Sequence, residues 1–153
     1  MRGRTGRWLT ALLAAALLAS PALAQAPRPV SFTAQVIEAS NPAQPQKDAA
    51  VPDSLLRELQ RTFQFKQYKS LGSKSSPPTA VGALWSPDSL PGGVTLQVTP
   101  KSVDGSMIAV DVKLLRGSAP VVATTVRVAP GGQVVVGGPT TGAGSLIVVL
   151  SAR

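Results

Sequence analysis

Residues 94–150 read VTLQVTPKSVDGSMIAVDVKLLRGSAPVVATTVRVAPGGQVVVGGPTTGAGSLIVVL, and this stretch decides the fold. It consists of short apolar runs rich in β-branched residues, separated by turn signals that contain Gly, Pro or Asp. In the first run Val94, Leu96 and Val98 alternate with polar residues, and such alternation predicts a strand with one buried and one solvated face. The stretch therefore predicts a sheet.

Five such runs predict a five-stranded antiparallel meander, because connections this short cannot support parallel crossovers. Pro100 cannot donate to a ladder, so we expect it to end the first strand. The last two runs, residues 133–136 and 145–150, are nearly continuous in apolar residues, which indicates strands buried on both faces.

Upstream of this stretch, the pattern predicts further strands and one helix. Residues 30–38 and 65–71 alternate in polarity, whereas residues 53–63 follow a helical period. The apolar residues on the predicted helical face are Leu55, Leu56, Leu59 and Phe63. The expected fold class is therefore α+β, mainly an antiparallel β-sheet or sandwich with one N-terminal amphipathic helix packed on it.

The chain is expected to contain one folded domain, residues 30–153, with a mobile linker at residues 40–52 that is rich in Pro, Gln and Ala. Residues 1–24 have a basic start, an apolar centre and a small-residue end, which predict a signal peptide. Cleavage would leave a short leader at residues 25–29. A retained membrane anchor is the alternative, but the apolar run is shorter than the roughly 20 residues that span a bilayer.

The expected localisation is therefore exported, either periplasmic or extracellular, with no transmembrane segment in the mature chain. The formal net charge is +8, and subtracting the three arginines of the signal peptide leaves +5. Such a charge could favour an acidic partner, but it is also a common means of keeping a protein soluble.

The chain contains no cysteine and no histidine. Their absence removes disulfides, thiol nucleophiles, the commonest general base and the commonest metal ligand. The acidic residues form no D-x-D or E-x-x-E pair, so the sequence indicates neither a paired-carboxylate site nor a calcium loop. We therefore expect a protein that is not an enzyme and that needs no cofactor and no metal ion.

The remaining enzymatic hypothesis is a hydrolase whose serine or acid site forms only in the folded chain. The neighbouring residues Ser73 and Lys74 could form a Ser-Lys dyad, which works without histidine. Neighbouring side chains usually point apart, and the segment resembles a solvated loop, so the sequence disfavours this hypothesis.

A basic segment with interleaved aromatic residues precedes the sheet. The candidate residues for binding an anion or a partner are Arg57, Arg61, Lys66, Tyr68, Lys69 and Lys74. Such a pattern can bind single-stranded nucleic acid through phosphates and stacked bases. An exported protein rarely meets nucleic acid, so we do not expect that partner. A charged outer strand face over an aromatic inner face explains the same pattern.

Three segments carry a resemblance to known proteins. Residues 63–71, the turn at residues 90–93 and residues 132–139 together resemble a group of uncharacterised short exported bacterial proteins. This resemblance implies export and brings no activity. Residues 131–138 are also similar to a β-segment of outer-membrane secretins, and this match covers eight residues without the rest of the secretin pattern.

The leading functional hypothesis is an exported, non-enzymatic structural or protein-interaction module of the bacterial cell envelope. It would bind an envelope protein partner, with exposed strand edges recruiting that partner by β-strand addition. The alternative is a module that binds an anionic envelope polymer or a lipid headgroup through the basic residues named above.

Overall fold

The computed structural model describes residues 26–88, 90–142 and 144–153. The predicted signal peptide at residues 1–24 and the first leader residue lie outside the described residues and stay predictions. The elements are β1 (Phe32–Ser40), α1 (Asp53–Thr62), β2 (Gln67–Ser75), β3 (Val94–Asp104), β4 (Met107–Arg116), β5 (Ala119–Val128), β6 (Gln133–Thr140) and β7 (Gly144–Ala152).

In the described part of the chain, seven strands form two antiparallel sheets. The first sheet has the order β2-β1-β7-β6 and the second has the order β3-β4-β5. This arrangement confirms a mainly antiparallel, β-rich fold, with one helix among the residues that the structure describes. The predicted N-terminal position of the helix is wrong, because α1 follows β1 and forms the connection from β1 to its neighbour β2.

Two hydrophobic cores hold the layers together. The sandwich core lies between the sheets and includes Phe32, Val36, Leu96, Leu114 and Leu150. The helix core lies on the other face of the first sheet, where Leu55 and Leu59 pack on Ile37, Tyr68 and Ile147. Since each fully buried aliphatic side chain contributes about 1.5–3 kcal/mol, these two cores supply most of the driving force for folding.

The predicted five-stranded meander is wrong beyond its third strand. Strands β3, β4 and β5 form a meander, but β6 and β7 join the first sheet, where β7 pairs with β1 from Phe32↔Ala152 to Ser40↔Gly144. The turn after β5 is tied to the end of β7, since the Gly131 N–H donates to the Ala152 carbonyl at 2.7 Å. The chain therefore changes sheets at residues 129–132.

Strand β7 is buried on both faces, as its apolar sequence predicted. Leu146, Val148 and Leu150 face the sandwich core, and Ile147 and Val149 face the helix core. The same prediction fails for β6, in which only Val136 is buried. The reason is position, because β7 is a central strand whereas β6 is an edge strand.

Pro100 does not end β3, which continues to Asp104. The neighbouring Val98 directs both its N–H and its carbonyl away from β4, to Trp85 at 2.8 Å. Backbone groups two residues apart on a strand point the same way, so the nitrogen of Pro100 also lies on the outer side of this edge strand. Proline therefore removes no hydrogen bond of the β3-β4 ladder.

Residues 41–52 contain no helix or strand and pass beside β2 before entering α1. The Gln46 N–H donates to the Gln67 Oε1, and the Ser70 N–H donates to the Asp48 carboxylate, both at 2.8 Å. The predicted mobility of this linker stays a prediction. Within residues 26–153, as far as they are described, no helix has the length and apolarity needed to cross a membrane.

Candidate functional site

The structure places five of the six predicted binding residues at the surface and one in the core. Arg57 and Arg61 lie on the solvent face of α1, opposite the buried Leu55 and Leu59. The three lysines of the set are exposed along β2 and just before it; they are Lys66, Lys69 and Lys74. The predicted residues therefore occupy two elements.

Tyr68 is the buried member, with 2% of its surface exposed. Its one hydroxyl proton is shared between two carbonyls, with O···O distances of 2.8 Å to Phe63 and 3.2 Å to Leu59. Burial raises the pKa of this hydroxyl, which therefore keeps its proton and stays a donor at neutral pH. Tyr68 ties the end of α1 to β2, and its ring is not part of the basic surface.

Two of the lysines line neighbouring clefts beside β2. Lys66 lines a cleft of about 240 Å³, and Lys69 lines the adjoining one; both clefts share Lys47 and Asp48. Sequence reasoning missed Lys47, because it stands alone in the linker. Lys74 pairs with Ala34, whereas Lys69 pairs with Glu38, so Lys74 lies five residues further along β2, roughly 16 Å away.

Carboxylates offset part of the charge of this surface. Hydrogen bonds from the backbone N–H groups of Ala50 and Ser70 lower the pKa of Asp48, and the charge of Lys69 adds to this effect. Lys47 lowers the pKa of Asp53 by a hydrogen bond and by its charge. Both acids are therefore ionised at neutral pH, and they reduce the positive potential around the two clefts.

The Ser73 and Lys74 pair does not have the geometry of a catalytic dyad. Ser73 pairs with Gln35 and Lys74 with Ala34, so the two side chains point to opposite faces of the sheet. Among the described residues, no group of three or more acidic side chains is arranged to hold a metal ion.

Three of the four sheet edges are covered or obstructed over part or all of their length. The outer side of β3 is covered by residues 82–86, which bond to Val98, Pro100 and Leu96. The first half of β2 is covered by Asp48 and carries Lys69. The end of β6 contains Gly137, Gly138 and Pro139, and the Thr140 carbonyl there accepts a 2.9 Å hydrogen bond from the Arg116 guanidinium.

The fourth edge is β5, which is open. It has ten residues and pairs with β4 on one side, and within residues 90–142 no backbone hydrogen bond joins it to β6. Only Val128 is buried, and Val121 is 41% exposed. Residues 119–126 carry no charge, so this strand lacks the lysines that commonly prevent an edge from pairing; Pro120 and the register shift beside Leu114 and Leu115 lie at its start, before Val122.

The ladder determines which backbone groups of β5 point outward. Val98 bonds to Trp85, so Val98 and Val112 are opposite each other without exchanging hydrogen bonds. In such a pair both residues point away from each other, so the N–H and carbonyl of Val112 are directed toward β5. Its partner Thr124 is then hydrogen-bonded to β4. The residues on either side of Thr124 therefore present their N–H and carbonyl groups to solvent.

Two of these outward residues define the candidate site, Ala123 and Thr125. On the face that meets the first sheet, Val122 and Val126 are half-buried against the sandwich core. A strand added here would find backbone partners at the edge and apolar side chains on its inner face. Sequence reasoning predicted this strand but placed it inside a meander, where both of its sides would be paired.

The chain matches no model of a known protein family, no curated protein and no solved structure. The resemblance to short exported bacterial proteins therefore stays a prediction.

Proposed function

We propose that the protein is an exported, non-enzymatic interaction module of the cell envelope that binds its partner by β-strand addition at β5. The observation that supports this proposal is the open β5 edge, which is long, uncharged over residues 119–126 and exposed. Natural sheets usually protect such an edge, because an open one pairs with other chains. A long uncharged edge, in a fold whose other edges are wholly or partly covered, is best explained as a binding edge.

The acidic side chains support a role without catalysis. Asp48 accepts two backbone N–H groups, Asp53 pairs with Lys47, and Asp111 accepts the Thr125 hydroxyl at 2.6 Å. Each of these carboxylates has a structural partner, and Asp48 and Asp111 join neighbouring segments. Export is supported by the sequence pattern of residues 1–24.

A photo-crosslinking side chain at Thr125, introduced in the living cell, tests the proposal. We expect a discrete adduct, which is lost when Ala123→Pro removes an outward N–H and is kept when Ser73→Pro makes the matched change on β2. Ser73 is a fair control because Ser76 bonds inward to Phe32, so the N–H of Ser73, three residues away, points outward. An adduct that survives Ala123→Pro would refute binding at β5.

A second candidate function, the binding of an anionic polymer or lipid headgroup, is supported by the convergence of Lys47, Lys66 and Lys69 on neighbouring clefts. Charge reversal by Lys66→Glu with Lys69→Glu should abolish binding to anionic vesicles, and raising the salt should weaken it. Lys74→Glu is the control, since this residue lies further along the strand. Vesicle binding that changes neither with salt nor with charge reversal would refute this function.

A further inference from the structure

We propose that a second copy of this chain occupies the β5 edge, so that two three-stranded sheets join into one continuous antiparallel sheet of six strands. This inference rests on the proposed function of β5 and names the partner. It follows from the sequence of the edge itself, which is close to palindromic.

The central residues of β5 read Val122-Ala123-Thr124-Thr125-Val126. When two copies pair antiparallel with Thr124 opposite Thr124, the outward groups of Ala123 meet those of Thr125 in the other copy. Both residues are free to exchange hydrogen bonds in that register, because they point away from β4. The edge therefore supplies its own complement.

The side chains agree with the same register. Val122 lies opposite Val126 of the second copy on the inner face, so the half-buried valines extend both sandwich cores. β-Branched pairs directly opposite each other are favourable in antiparallel sheets. A register shifted by one residue would direct inner-face valines to the outer face, and a register shifted by two would place Val126 opposite Thr124 or Pro120 instead of Val122. The register centred on Thr124 therefore gives two Val122–Val126 pairs.

Charge also permits a second copy at this edge. Arg127 is the one charged residue of β5, and in the proposed register the two Arg127 side chains lie six residues apart, roughly 20 Å. That separation exceeds the Debye length of about 8 Å at physiological salt, so their repulsion is screened. Self-pairing at β2 would instead bring Lys69 and Lys74 of the two copies together.

The absence of cysteine allows a sharp test with single-cysteine variants of the full chain. Opposed Thr124 residues form a non-hydrogen-bonded pair with Cα atoms about 4.5 Å apart, which is within the range for a disulfide. We expect Thr124→Cys to form a disulfide-linked dimer with an added oxidant. Val122→Cys is the matched control, because the two Val122 residues would lie roughly 13 Å apart and should not be linked.

Sedimentation supplies the measurement without a crosslink. The weight-average mass should rise toward twice the chain mass with concentration in the native protein and in Ser73→Pro, and should stay that of one chain in Ala123→Pro. Circular dichroism establishes that each variant is folded.

Three results would overturn the proposal that a second copy binds at β5. The native protein could stay monomeric, Thr124→Cys and Val122→Cys could be linked equally, or the dimer could persist in Ala123→Pro. The photo-crosslink at Thr125 separates the two proposals. An adduct with a protein of different mass, lost in Ala123→Pro, would overturn the second copy and retain the proposed function.

Discussion

Trp85 and Val98 exchange two backbone hydrogen bonds, each 2.8 Å long, and thereby close the outer edge of β3. The same contact shows the hydrogen-bonding phase of the second sheet between its two register shifts, since it turns Val98 away from β4. Through Val112 and Thr124 that phase reaches β5, where Ala123 and Thr125 are left facing solvent. In the second sheet, the outer edge of β3 is therefore covered, whereas the outer edge of β5 is open.

The Trp85 side chain should be a major contributor to stability. Its ring stacks on Phe32 with centroids 6.1 Å apart, and only 9% of the residue is exposed. We expect Trp85→Ala to lower the free energy of unfolding by about 3–5 kcal/mol in urea titrations, because it removes a large aromatic group from the core. Leu84→Ala is the control; Leu84 is 57% exposed and its truncation should cost less than about 0.5 kcal/mol. Similar losses in the two variants would contradict the burial of Trp85.

The Tyr68 hydroxyl should stabilise the junction of α1 and β2. Tyr68→Phe keeps the ring but leaves the Leu59 and Phe63 carbonyls without this donor. We expect a loss of about 1 kcal/mol in the free energy of unfolding, measured by thermal or urea denaturation. Lys69→Ala is the control, because Lys69 is the exposed neighbour of Tyr68; it should lower the free energy of unfolding by less than half as much. An unchanged stability in Tyr68→Phe would show that the hydroxyl bonds contribute nothing.

Helix α1 and strands such as β3 were predictable because their sequence signals are local. Leu55 and Leu59 repeat at helical spacing, and Val94, Leu96 and Val98 alternate, so each segment reports its own buried face. The pairing of Phe32 with Ala152 joins residues 120 positions apart in the chain and leaves no local signal. That pairing decides which strands are central, and so it decides that β5 is an edge.

The basic surface shows the same limit. Alternation placed Lys66 on the face of Tyr68 and Lys69 on the opposite face, and it could not show that Tyr68 is buried and bonds to the end of α1. It also could not bring Lys47 from the linker to the clefts beside β2. Both facts depend on where the linker and the helix pack, which is a tertiary property.

Stability should fall as the pH is lowered, partly through Asp48. Its pKa is lowered from 3.8 in the folded protein by the backbone N–H groups of Ala50 and Ser70, so the folded state prefers the charged form. A lowered folded pKa contributes stability that is complete above about pH 5 and is lost as the pH falls through 3.8 and then through the folded value. Asp48→Asn should therefore be less stable than the native protein at pH 7, and the gap should close in strong acid. A gap that is constant with pH would contradict this role.

Gly144 should be required for the pairing of β7 with β1. A Cβ at this position would overlap the Ala39 carbonyl, which is backbone and cannot move without breaking the ladder. We expect Gly144→Ala to cost at least about 3 kcal/mol of unfolding free energy, the upper range for overpacking. Gly142→Ala is the matched control two residues away, where a Cβ meets nothing within 4 Å. Equal tolerance of the two substitutions would refute the close approach at Gly144.

Residue-resolved amide hydrogen exchange along β5, recorded in dilute protein and again with the binding partner present, tests the central claim most directly. In dilute protein, the N–H groups of Thr124 and Val126 should be protected by β4, and those of Ala123 and Thr125 should exchange freely. With the partner bound, Ala123 and Thr125 should become protected as well. Protection of these two amides in dilute protein, or their free exchange in the complex, would contradict a binding edge at β5.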